Sequence, residues 1–184
     1  MSLALPVVAA LALGLALGGR LGNLAQLRLR AVWLFFAAFA LQVVAFPFTF
    51  LPWRTDETVA SALWLVSYAL LVAAAGLNLR IPGVAIVTLG MGSNVAAIVA
   101  NGGTMPVLPE AMYEAGRQEA TLNNSTAAAD PHLAWLVDRW AAPDWVPLAN
   151  VFSVGDVVIA AGAVVIVLAG MHVRVPRPLR SRQA

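Results

Sequence analysis

The sequence predicts an all-α membrane protein: five transmembrane helices, N-terminus out and C-terminus in, with short amphipathic helices in the outer loop between helices four and five. Three observations carry this. Hydrophobic residues make up 61% of the 184-residue chain and charged residues only 11%, against roughly 25% charge in a water-soluble domain. Five apolar stretches approach the ~20 residues that cross a ~30 Å hydrocarbon core at about 1.5 Å per residue. The arginines fall on one side of the alternating stretches and the acids on the other, which sets orientation.

The spans read as residues 3–18, 31–51, 59–77, 81–100 and 151–171 of a single transmembrane domain, 1–184. The first is the shortest. No Arg precedes its apolar run and Arg20 follows it, so it reads as a retained helix rather than a cleaved signal peptide. With the N-terminus outside, the inner side holds Arg20, Arg28, Arg30, Arg80, Arg174, Arg177, Arg180 and Arg182 and no acid. The outer side holds Arg54, Arg117 and Arg139 with all nine acids, from Asp56 to Asp156. The sequence pI near 9.9 therefore points to anionic lipid headgroups, with the 172–184 tail as a surface anchor, and not to nucleic acid. A bacterial cytoplasmic (inner) membrane location follows from this reading. Lysine and cysteine are both absent, which excludes a Schiff base, a phosphate-binding lysine, disulfides and thiolate chemistry.

One connection is long, the outer stretch 101–150. Pro109 followed by Glu110, Glu114 and Glu119 predicts a short helix with Pro in its first turn. A second helix is predicted from Asp130 as N-cap, with Leu133, Leu136, Val137 and Trp140 on one apolar face lying on the membrane. Trp135, Trp140 and Trp145, with Trp53, would form an interfacial belt. Asn123, Asn124, Ser125 and Thr126 read as a mobile connector.

Polar residues inside spans are costly and mark where function should be sought. Gln42 lies mid-span and Asn78 ends the third span. Gly90, Asn94, Ala97 and Asn101 share one small, polar face of the fourth. Asp156 is the only acid inside a predicted span. Ser153 and Asp156 fit a capping box, and Asn101-Gly102-Gly103 with Pro106 fits a helix C-terminus. Gly14 and Gly18 suit close helix packing. His132 and His172 have no partner at metal-ligand spacing, so neither metal nor cofactor is expected.

The run Gly18-Gly19-Arg20-Leu21-Gly22-Asn23 into Arg28 and Arg30, then Asn94, Asn101-Gly102-Gly103-Thr104-Met105-Pro106 and Ser153-Val154-Gly155-Asp156, resembles an uncharacterised bacterial multi-pass membrane-protein family, a domain of unknown function. The resemblance spans nearly the whole chain and brings no activity with it. In layout alone, Asp138-Arg139 followed by Asp156 at the head of the last helix is similar to lipoprotein signal peptidase. That likeness implies two carboxylates sharing a proton to activate water. The Gly-Asn before the first Asp of that enzyme is missing here.

These readings converge on a polar pocket opening outward, lined by Asn94, Asn101, Gly102, Gly103, Met105, Pro106, Ser153, Gly155 and Asp156 and roofed by the loop helices. The expected function is a binding or accessory subunit, whose partners are the bilayer and other chains of a membrane complex. The alternatives are an intramembrane aspartyl hydrolase using Asp138 and Asp156 and a small transporter. The absence of charge in the inner halves of the spans disfavours the transporter.

Overall fold

A computed structural model describes residues 4–46, 53–116, 125–143 and 151–172. Five long helices coincide with the five apolar stretches: α1 (Ala4–Ala16), α3 (Val32–Ala45), α4 (Glu57–Leu77), α5 (Val84–Ala100) and α7 (Val154–Gly170). Short helices α2 (Leu21–Leu24) and α6 (Pro109–Glu114) lie in the connections. At 21 residues, α4 is long and apolar enough to cross a membrane; its length is about 32 Å at about 1.5 Å per residue. The other four have 13 to 17 residues; α5 and α7 fall short of their predicted spans because caps and turns take up the flanking residues, such as Gly83 before α5 and Ser153 before α7.

The helices pack in the order α1, α7, α5, α4, α3; α7, α5, α4 and α3 alternate in direction, whereas α1 and α7 run parallel, with their C-terminal ends meeting where the Arg20 N–H donates to the Met171 carbonyl. Thr55 Oγ1 donates to the Val44 carbonyl where α3 hands over to α4. At the other end Asn78, the C-cap of α4, holds both backbone groups of Arg30 before α3 (2.7 and 3.0 Å). Arg20, Arg28, Arg30 and Arg80 consequently share one end, and every acid among the described residues lies toward the other.

Glycines set the closest contact. A Cβ on Gly90 would come within 2.6 Å of the Gly155 carbonyl, and one on Gly83 within 2.5 Å of the Gly162 carbonyl. The pairs Gly83–Gly162 and Gly90–Gly155 are seven residues apart on each helix, so α5 and α7 run antiparallel with backbones touching.

Above the acid-bearing end, the connection between α5 and α7 folds back on itself. Strand β1 (Met105–Val107) pairs in parallel with β2 (Ser125–Ala127), and β3 (Trp140–Ala141) pairs antiparallel with β4 (Val151–Phe152). Trp64 of α4 sits beneath, edge-on to Phe46 and Tyr68 at 6.1 and 5.3 Å, in a core with Ile98, Met105 and Val137.

Two expectations fail here. Residues 130–140 form turns and a strand rather than an amphipathic helix. The reason is competition for backbone groups. His132 gives its N–H and carbonyl to the Asn101 side chain, and Asp138 donates to Pro106 and accepts from Leu108. Arg139 N–H goes to Phe152, and Leu133 takes a left-handed φ of 54°. Ser125 and Thr126 are likewise ordered in β2, not a free connector. Trp53, Trp135 and Trp140 are exposed. Trp145, Asn123, Asn124, Arg117, Glu119 and the Arg174 to Arg182 tail lie outside the described residues.

Candidate functional site

Helix α7 begins with the box read from its sequence. Ser153 Oγ accepts from the Asp156 N–H and Asp156 Oδ2 accepts from the Ser153 N–H, both at 3.1 Å. Such a box satisfies amides left open by the first helical turn. Here it also joins a second helix, because Ser153 Oγ donates to Asn94 Oδ1 at 2.9 Å and Asn94 Nδ2 donates to Asp156 Oδ1 at 3.1 Å. The four bonds join Asn94, Ser153 and Asp156 in a ring between α5 and α7. Asn94 and Ser153 are buried and Asp156 is half-buried. Gly155 makes this approach possible, since a Cβ there would collide with the Asn94 carboxamide.

Asp138 reaches the same place by another route. Its N–H and carbonyl are held by Pro106 and Leu108 on one side, while Arg139 pairs with Phe152 on the other. The two short strand pairings thus bring Asp138 beside the head of α7. It is 8% exposed, and burial pushes its carboxyl up to about 7, with the charge of Asp156 adding to the rise. Burial, reinforced by a negative charge within electrostatic reach, favours the protonated form of Asp138. The hydroxyl of Tyr68, on α4, faces the Asn94 side chain and lies within electrostatic reach of both acids.

The site read from sequence is accordingly divided. Asn94, Ser153, Gly155 and Asp156 come together, and Asp138 joins them. Asn101 does not: it caps α5, donating to the Ala97 carbonyl at 2.8 Å and clamping His132. Gly102 and Gly103 form the left-handed turn that ends α5, with φ of 78° and 98°. Met105 belongs to the apolar core and Pro106 supplies a carbonyl to Asp138. Tyr68 and its neighbour Ser67 were not among the predicted residues. Ser67 Oγ bonds the Trp64 carbonyl and receives Gln42 at 3.1 Å, tying α3 to α4. The adjacent Ser67-Tyr68 pair inside an apolar stretch is the signal that would have found them. Among the described residues no group of His, Cys, Asp and Glu is arranged to hold a metal.

The fold and the site define a helical protein with an acid-bearing polar ring at one end of its bundle. The chain belongs to the family of unknown function DUF5317, which matches residues 26–168. No curated protein and no solved structure matches the chain.

Proposed function

We propose that this is a five-span protein of the bacterial cytoplasmic membrane, N-terminus out, which binds a small polar ligand or a partner segment at the outer end through Asp138, Asn94 and Asp156. Membrane placement is supported by exposed apolar side chains on the outer faces: Val8, Phe36, Phe39, Leu89 and Val99 of α1, α3 and α5 are each at least 60% exposed, and Val59 and Val66 of α4 and Val157 of α7 are 47–50% exposed. Water would penalise such a continuous apolar coat at about 25 cal/mol per Å². The observation that carries the binding reading is Asp138, a buried acid fixed by strands beside a second carboxylate. Both Asp156 oxygens already accept hydrogen bonds that shape the cap, which suits Asp156 to orienting and leaves Asp138 to change charge.

Purification in mild detergent, comparing wild type with Asp138→Asn, tests this reading. The wild type should retain a stoichiometric ligand or chain that the variant loses without loss of helicity. Identical, empty preparations would overturn it. A second reading, an aspartyl hydrolase acting at the outer surface, is supported by a buried Asp138 within electrostatic reach of Asp156. It requires Asp138→Asn and Asp156→Asn each to abolish turnover of a membrane-anchored peptide by ~10²-fold or more, where binding alone would leave no turnover to lose.

A further inference from the structure

The end of the bundle opposite the acids carries a second feature. Helix α1 stands at one end of the packing order and α3 at the other, so the chain between them passes beneath the bundle. That connection is fixed at both ends. Near its start the Arg20 N–H and Asn23 Nδ2 both donate to the Met171 carbonyl at the foot of α7 (3.1 and 3.3 Å), and Leu24 and Leu27 close over Gly170. At its end Arg30 is held through its backbone by Asn78, which is 4% exposed.

The backbone is therefore pinned while the charges are left outside. Arg20, Arg28 and Arg30 are exposed, and so is Arg80 in the turn between α4 and α5. Leu21, Leu29 and Leu79 stand among them at 47–52% exposure. Among the described residues this end holds no acid that would neutralise the arginines. Guanidinium groups present paired N–H donors matched to phosphate oxygens, and leucines at the same level match the glycerol and first methylenes of a lipid. An acidic soluble protein would meet the charges but would gain nothing from leucines at the edge of the bilayer.

We propose that this crossing segment and the α4–α5 turn form a binding surface for anionic phospholipid headgroups of the inner leaflet, engaged by Arg20, Arg28, Arg30 and Arg80. The proposal rests on the five-span reading given above. The test uses the full chain in nanodiscs or vesicles of equal phosphatidylglycerol and phosphatidylcholine, scoring by native mass spectrometry which lipids remain bound. Wild type should retain phosphatidylglycerol preferentially. Each arginine near a charged surface is worth roughly fivefold, so Arg28→Gln/Arg30→Gln/Arg80→Gln should lower that preference on the order of 100-fold. The matching triple Lys variant should keep most of it, showing that the loss follows charge and not misfolding.

Should the Gln variant not fold, wild type in rising salt serves instead. The preference should collapse as the Debye length falls from about 10 Å at 0.1 M to about 3 Å at 1 M. A preference unchanged by salt, or retained by a folded Gln variant, overturns the proposal. So does wild type that inserts and shows no preference, which leaves the membrane reading standing. Failure to float with vesicles overturns both, and selective capture of an acidic soluble protein without lipid preference assigns the surface to that partner.

Discussion

At the scale of single residues, the polar ring divides into groups that hold shape and one that titrates. Asp156 and Ser153 work as a cap, so Asp156→Asn, which still accepts from the Ser153 amide, should retain folding, whereas Asp156→Leu should not. Ser153→Ala should cost about 1 kcal/mol or somewhat more, because it removes the cap and the bond to Asn94 together. Thermal unfolding in detergent checks the order; equal loss in the Asn and Leu variants of Asp156 would remove the cap account. Asp138 behaves differently. Its carboxyl is raised from 3.8 to about 7, so between those values the folded state binds a proton that the unfolded state has released. Stability should then fall as pH rises from about 4 to about 7 and level off above. Asp138→Asn should flatten that slope and gain relative to wild type above pH 7. Unfolding scans across the range, showing wild type and variant in parallel, would count against a buried proton on Asp138.

Elements are where glycine matters. On α5, Gly90 faces the α7 backbone, while Gly92, two residues on, has nothing near it within 4 Å. Gly90→Ala should destabilise by about 1–3 kcal/mol through overpacking. Gly92→Ala should be neutral or gain up to ~1 kcal/mol from helix propensity. If both behave alike, the close α5–α7 approach is wrong. The sequence made the helices legible because their signal is local: apolar runs, Ser153 at an N-cap, Gly102 and Gly103 after α5. It concealed the 101–150 connection because its order is set at a distance. The amides of Asp138 and Arg139 find their acceptors at Pro106 and Phe152, and no helical periodicity announces that. The apolar spacing of Leu133, Leu136, Val137 and Trp140 is real, yet Val137 alone among them is fully buried while Leu133 and Trp140 face out. The sequence put Asp138 on a surface helix and paired it with Asp156 only through a layout likeness; the bonds of Asp138 to Pro106 and Leu108 and of Arg139 to Phe152 are what hold it near the head of α7. Asn94 with Asp156 was readable from depth along neighbouring helices, and Asn101 was misplaced because its side chain turns to the loop.

The whole molecule separates charge along its axis, and in the five-span proposal that separation sets the orientation. Moving the arginine end across the hydrocarbon during insertion would cost ~2.5–3.5 kcal/mol per charge by insertion scales. Orientation follows the Lys and Arg of short loops, to which Asp and Glu contribute little, so the five-span proposal keeps the arginine end inside. Because the chain holds no cysteine, single introduced thiols report each side without background. Thr126→Cys in β2, at the acid-bearing end, should react with an impermeant maleimide added to intact cells. Arg28→Cys, beneath the bundle, should react only after permeabilisation. Adding arginines to the outer loop beside Thr126 should weaken the orientation and yield a mixed population, since the bias depends on the difference in Lys and Arg between the two sides. Labelling of both thiols from the same side in the unmodified chain would break the five-span alternation. It would also place the Asp138 site and the arginine surface in one compartment, contrary to their positions at opposite ends of α4, α5 and α7.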